Sequence, residues 1–187
     1  ALHSGLATSP VAIFAIFFSP VIGMNMHRVD LRWLIFTGFG LFAFGAWYSS
    51  GLTPDATIGE IMFGRFLFGL GIPFFFIPLS SMILVGLEGP ALTAATGLSN
   101  FLRTLGGAIG TAVFVTLWSR RTSFHHARLT EGLHPGNPAY DQFMVSQQAA
   151  SMATLDILYL TTGLFVLMMF TVFLAKPVKG ASAGAGH

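Results

Sequence analysis

Long runs of this chain carry no charge, and no other feature limits its fold so tightly. Helical runs of roughly 20 apolar residues match the hydrocarbon core of a bilayer, about 30 Å thick. Seven acidic and nine basic side chains serve 187 residues, 9% of the total; a soluble domain carries about 25%. A soluble globule of this length could not cover its surface with so few charges, so the sequence reads as an all-α integral membrane protein. A formal charge of +2, spread over so few groups, gives no footing for a nucleic-acid partner. With no cysteine, disulfides, thiolate metal sites and thiol catalysis are excluded.

Five spans are expected, at about residues 6–26, 33–50, 57–87, 92–119 and 153–175. The intervening connections are short except for 120–152, which is read as a loop, and 177–187 is read as a flexible Gly/Ala-rich tail. An odd number of spans puts the two ends on opposite sides of the membrane. The loop charges do not orient the chain: Arg28, Arg32, Lys176 and Lys179 stand on one side, Arg120, Arg121 and Arg128 on the other. The first residues, Ala-Leu-His, have neither an initiator Met nor a basic leader, and the sequence is expected to start partway through a longer protein.

The third span holds Gly64, Gly69, Gly71, Pro73 and Pro78. Such residues weaken a soluble helix but are tolerated in membranes, where small residues permit close approach. The segment reads as tightly packed and kinked, through packing alone or as a gating kink. In the fourth span, at about 100° per residue, Thr96, Asn100, Arg103, Gly107, Gly110 and Phe114 fall within an arc of about 80°. Polar and small residues therefore share one face. Arg103 lies roughly 15 Å into that span, where a charge costs at least about 2.5–3.5 kcal/mol. It is expected to face protein or a water-filled cavity, either tying carbonyls of neighbouring helices or lining a substrate path. Gly106, Gly107 and Gly110, with Gly69 and Gly71, are the expected helix-packing positions. Phe75, Phe76 and Phe114 are candidates for an apolar lining.

Other ionisable groups sit near span ends. Glu60, Arg65 and Asp156 can snorkel to the interface. His125 and His126 are adjacent, so they diverge on a helix or strand, and no carboxylate or Cys stands near them at metal-ligand spacing. No metal site is expected. Nor is an enzyme: the chain has no Gly-x-Ser-x-Gly, His-Glu-x-x-His or Walker loop, and Gly106-Gly107-x-x-Gly110 lies inside an apolar helix with no strand before it.

The residues above resemble the major facilitator superfamily, and within it the C-terminal part of the EmrB/QacA-type, fourteen-helix drug:proton antiporters. The likeness rests on Asp30-Leu-Arg-Trp-Leu, Pro78-Leu-Ser, Leu98-Ser-Asn-Phe-Leu-Arg-Thr-Leu-Gly-Gly-Ala-Ile-Gly-Thr, His125-His-Ala-Arg-Leu-Thr-Glu and Ala175-Lys-Pro before the tail. It extends over essentially the whole chain. The superfamily's cytoplasmic loop pattern, Gly-x-x-x-Asp-(Arg/Lys)-x-Gly-x-(Arg/Lys), is degenerate here. Gly23, Arg28 and Arg32 are kept, while His27 replaces the Asp and Asp30 the Gly.

The resemblance implies five of fourteen helices, forming an incomplete C-terminal bundle in the bacterial inner membrane. Residues 23–32 and the C-terminus would then be cytoplasmic and residues 120–152 periplasmic. It implies export of hydrophobic small molecules by alternating access, driven by the proton gradient without any cofactor, with Asn100 and Arg103 facing a central cavity. The N-terminal bundle of the same chain, carrying most of the proton-coupling acids, would complete the transporter. A periplasmic adaptor and outer-membrane channel would be further partners. Two rival readings are an exporter of another cargo (a lipid, siderophore or metabolite) and a non-transporting, truncated membrane protein.

Overall fold

The computed structural model describes residues 2–26, 28–52, 56–131 and 138–174. These residues form five α-helices: α1 (Leu2–Asn25), α2 (Leu31–Ser50), α3 (Ile58–Leu84), α4 (Gly89–Thr130) and α5 (Pro138–Thr171), the last continued by a 3-10 turn at Val172–Leu174. By length and composition, Ile58–Leu84, Gly89–Thr130 and Gln142–Leu174 can each cross a membrane. The tail 177–187 and His27 lie outside the described residues.

Local chemistry sets the helix starts. Asp30 caps α2, its side chain accepting from the Arg32 backbone N–H at 3.1 Å. At the start of α3, the Glu60 carboxylate reaches back to the Thr57 backbone N–H at 2.8 Å, as in a capping box. Pro90 stands in the first turn of α4 and Pro138 opens α5, where a missing N–H costs nothing. The α3–α4 turn needs two left-handed residues, Gly86 at φ 78° and Gly89 at φ 58°, a conformation that disfavours any residue with a Cβ.

One sequence expectation is corrected. Residues 120–152 are not a long loop: α4 runs on to Thr130 and α5 begins at Pro138. The apolar run ends near Ser119, but hydropathy marks where lipid ends and not where a helix ends. Arg120–Thr130 contains no Gly or Pro, so nothing stops the helix when it leaves the apolar layer. At 42 residues, α4 is about 63 Å long, roughly twice the hydrocarbon thickness. Together with the start of α5 it makes a helical hairpin that extends past the apolar layer.

The helices neighbour one another in the order α1, α3, α2, α5, α4, and α4 comes back to touch α3 only lightly. The seam between α2 and α3 is the closest. A Cβ at Gly38 would stand 3.0 Å from the Phe75 backbone N, and one at Gly71 would stand 2.8 Å from the Phe42 ring. Gly45 and Gly64 are similarly crowded, by Leu67 and Phe68 and by Ser49. Gly38 and Gly45, like Gly64 and Gly71, are seven residues apart, the repeat that keeps one face turned to an antiparallel partner. Where helices meet in lipid, close packing of this kind replaces the hydrophobic drive available in water. Pro73 and Pro78 are fully buried, and α3 is continuous through both. Phe39, Phe42, Phe75 and Phe165 form an aromatic cluster joining α2, α3 and α5, with Phe39 and Phe75 centroids 4.9 Å apart and Phe42 and Phe165 5.3 Å apart.

Candidate functional site

Because α3 and α4 leave the same tight turn yet share few contacts, an apolar groove of about 500 Å³ lies between them. From α3 it is lined by Phe75, Phe76, Leu79 and Ile83, and from α4 by Ala95, Leu98, Ser99, Leu102 and Arg103. Helical spacing generates both walls: Phe75, Leu79 and Ile83 recur every four residues, as do Ala95 and Ser99, and Leu98 and Leu102. Arg103 is the one charged side chain in this lining. Its guanidinium lies over the Phe76 ring, 4.9 Å from the centroid, and donates to Ser80 Oγ at a long 3.5 Å. That is a cation–π contact supplemented by a weak hydrogen bond, with no carboxylate within ion-pair distance among the described residues.

The structure therefore brings together Phe75, Phe76 and Arg103 and leaves Asn100 and Phe114 outside the groove. The polar arc of α4 is aimed past α3, not at it. Arg103 lies on the side of that arc nearer the groove, which continues beyond the arc with Ser99 and Leu102. Asn100 and Phe114 are exposed. A Cβ at Gly97, Gly106, Gly107 or Gly110 meets nothing within 4 Å, so these glycines bring no helix of this chain close. Close approach occurs instead at Gly38, Gly45, Gly64 and Gly71; Gly69 is buried in the same helix. The groove residues Leu79, Ile83, Ser99 and Leu102 were missed because their spacing is legible only when it is known which two helices face each other.

In the segment resembling the superfamily loop pattern, Asp30 serves as the cap of α2 and Arg28 is exposed. The Arg32 Nε is buried without a hydrogen-bond partner, and a Cβ at Gly23 would meet open space. Among the described residues no ion pair joins these groups.

A second polar cluster sits where α4 and α5 cross near the end of the apolar layer. Asp156 Oδ2 is 2.8 Å from His125 Nε2 and 3.5 Å from an Arg121 guanidinium nitrogen. Nearby, the Trp118 indole donates to Thr154 Oγ1 at 3.2 Å. Sequence reasoning assigned Asp156 to the interface alone. Its partners lie 31 and 35 positions away, and only the α4–α5 pairing brings them together. No group of three or more metal-ligating side chains is found among the described residues.

Helices that are long, apolar and joined by glycine-dependent seams, with a lone arginine in an apolar groove, define a multi-pass membrane protein. Comparison narrows this: the chain is homologous, over its whole length, to EmrB-type export proteins of the major facilitator superfamily. It is 35% identical, over its whole length, to the multidrug export protein EmrB of Escherichia coli K12. Over 98% of its length it is 32% identical to the fatty acid resistance protein FarB of Neisseria gonorrhoeae. Over 95% it is 31% identical to the probable multidrug resistance protein EmrY of E. coli K12. The chain spans about 40% of the length of these relatives. No family model matches it. Long apolar helices and bacterial export relatives place it as a multi-pass protein of the bacterial inner membrane.

Proposed function

We propose that this chain forms part of the C-terminal half of a proton-coupled exporter of hydrophobic compounds that works by alternating access. The observation carrying the reading is the groove between α3 and α4, an apolar channel of about 500 Å³ with one cation in its wall. Apolar area supplies affinity for varied molecules, and aromatic walls adapt to their shapes. Arg103 adds a preference: a charge in an apolar wall gains most from an anionic group on the bound molecule. Relatives named for multidrug export and for fatty acid resistance are compatible with that class of cargo. The proton gradient supplies the energy. The rest of the transporter packs against the open face of α4, where Asn100, Gly106, Gly107, Gly110 and Phe114 stand uncovered. The projecting α4–α5 hairpin is the surface offered to a periplasmic adaptor that leads to an outer-membrane channel.

The test is export from cells making the full-length protein with Arg103→Ala or Arg103→Lys. We expect lost resistance to lipophilic acids with Ala and partial retention with Lys, at unchanged membrane levels. Unchanged resistance in both would remove Arg103 from the substrate path. Loss of folded protein in both would make it a structural tie between α3 and α4. Export that persists after the proton gradient is collapsed would overturn the coupling.

A further inference from the structure

The opposite side of the bundle holds a second cavity, of about 350 Å³, where the end of α2 meets the start of α3 and the middle of α5. Three aromatic side chains line it, Trp47, Tyr48 and Tyr159, together with the carboxylate-bearing Glu60. Sequence reasoning left Glu60 as a group that snorkels. In the structure Glu60 is exposed, and one of its oxygens accepts from the Thr57 backbone N–H at 2.8 Å, a capping contact that places the carboxylate at the rim of the cavity. Among the described residues no Lys, Arg or His lies within ion-pair distance of it, and no cation lines the cavity. Tyr48 is itself steadied by Phe63, at a centroid distance of 5.0 Å. Trp47 and Tyr159 are more than half exposed, so the cavity opens outward from the bundle at the boundary of the apolar layer.

Aromatic rings lining one cavity with a carboxylate that has no cationic partner among the described residues form an environment suited to organic ammonium ions over neutral or anionic groups. We propose that this cavity binds an alkylammonium group at the membrane interface, either the ethanolamine headgroup of a phospholipid or a free organic cation. This site is separate from the groove between α3 and α4, and its chemistry is opposite: an anion among aromatic residues here, a cation in an apolar wall there. An ordinary belt of interfacial Trp and Tyr would supply the rings without needing a cavity with a held carboxylate.

Native mass spectrometry of the intact protein, extracted from membranes holding equal phosphatidylethanolamine and phosphatidylglycerol, tests the site. We expect preferential retention of phosphatidylethanolamine. Glu60→Gln keeps an amide oxygen for the Thr57 N–H, so the start of α3 survives while the charge is lost. It should cut the lipid preference about fivefold, roughly the worth of one exposed cation–π or ionic contact. Tyr159→Leu should do the same and Tyr159→Phe should not. Choline added in solution separates the sources: if it displaces the lipid or binds alone, free cations also enter, and if it does neither while the lipid stays, the headgroup is the ligand. Equal retention of both lipids without choline binding, or a Glu60→Gln protein with unaltered preference, would overturn the proposal.

Discussion

Two glycines in equally apolar settings carry opposite consequences, and only their neighbours distinguish them. At Gly38 an added methyl meets the α3 backbone at Phe75, 3.0 Å away, and backbone cannot rotate aside. Gly38→Ala is therefore expected to destabilise the bundle by about 1–3 kcal/mol, the usual effect of overpacking. At Gly107 the methyl meets nothing within 4 Å, and within this bundle Gly107→Ala should be neutral or gain up to about 1 kcal/mol from helix propensity. Thermal unfolding of the two variants in the same detergent checks the contrast; equal effects would show that the α2–α3 seam is looser than described. The same change in the full-length protein is a second measurement. If another segment packs on the open face of α4, Gly107→Ala loses its neutrality there. Both glycines lie in glycine-rich apolar stretches, and nothing local in the sequence separates them.

At the scale of elements, the informative pair is α4 and α5. Their crossing is tied by Asp156 to His125 at 2.8 Å and to Arg121 at 3.5 Å. Arg121 is about half exposed, and an ion pair so solvated contributes only about 0–1 kcal/mol. The shorter bond to the less exposed His125 should contribute more, about 1 kcal/mol. A double-mutant cycle of Asp156→Ala with His125→Ala is expected to show clear coupling, and the cycle with Arg121→Ala little; the reverse order would mean that the long pair dominates. The extension of α4 to Thr130 also yields an expectation. Gly or Pro placed at Ser123, an exposed position well inside the helix, should fray the hairpin beyond the apolar layer. Amide exchange would report faster opening after residue 123, with the span before it unchanged. The α3–α4 turn responds to the opposite change: Gly86→Ala, at φ 78°, should cost about 1–2 kcal/mol because the left-handed conformation crowds a Cβ.

For the whole molecule, the arrangement in an arc from α1 to α4 explains why α4 has no buried residue, although its sequence carries the chain's most distinctive polar and small-residue face. With α5 on one side and the groove toward α3 on another, that face is turned outward. In the proposed exporter it meets the remaining part of the transporter, and paired cysteines test this. This chain contributes no native cysteine, so a Cys at Gly110, paired with a second Cys placed in a helix of the N-terminal half of an otherwise cysteine-free full-length protein, should form a crosslink. Labelling by a lipid-soluble maleimide at the rate of a lipid-facing control would instead leave the face uncovered. In this layout one wall of the groove, α4, is held mainly through α5 and touches α3 only lightly, while the other wall belongs to the α2–α3 seam.

The sequence by itself determined the environment and the number of helices, because the absence of charge over runs of about 20 residues leaves the chain no other way to satisfy its backbone than helices in a bilayer. It also located Arg103, since a charge inside a span is conspicuous and costly wherever it points. Helix ends beyond the lipid boundary were not legible from hydropathy, which carries no information once the apolar layer is left. Which glycines touch, which side of α4 meets α3, and that Asp156 finds His125 were decided by tertiary structure. Each depends on the rotation and pairing of whole helices, and in a bilayer the same apolar surface can face a neighbour or the lipid tails at nearly the same hydrophobic cost. Pairing is then settled by the fit of one helix against another, which no single helix encodes.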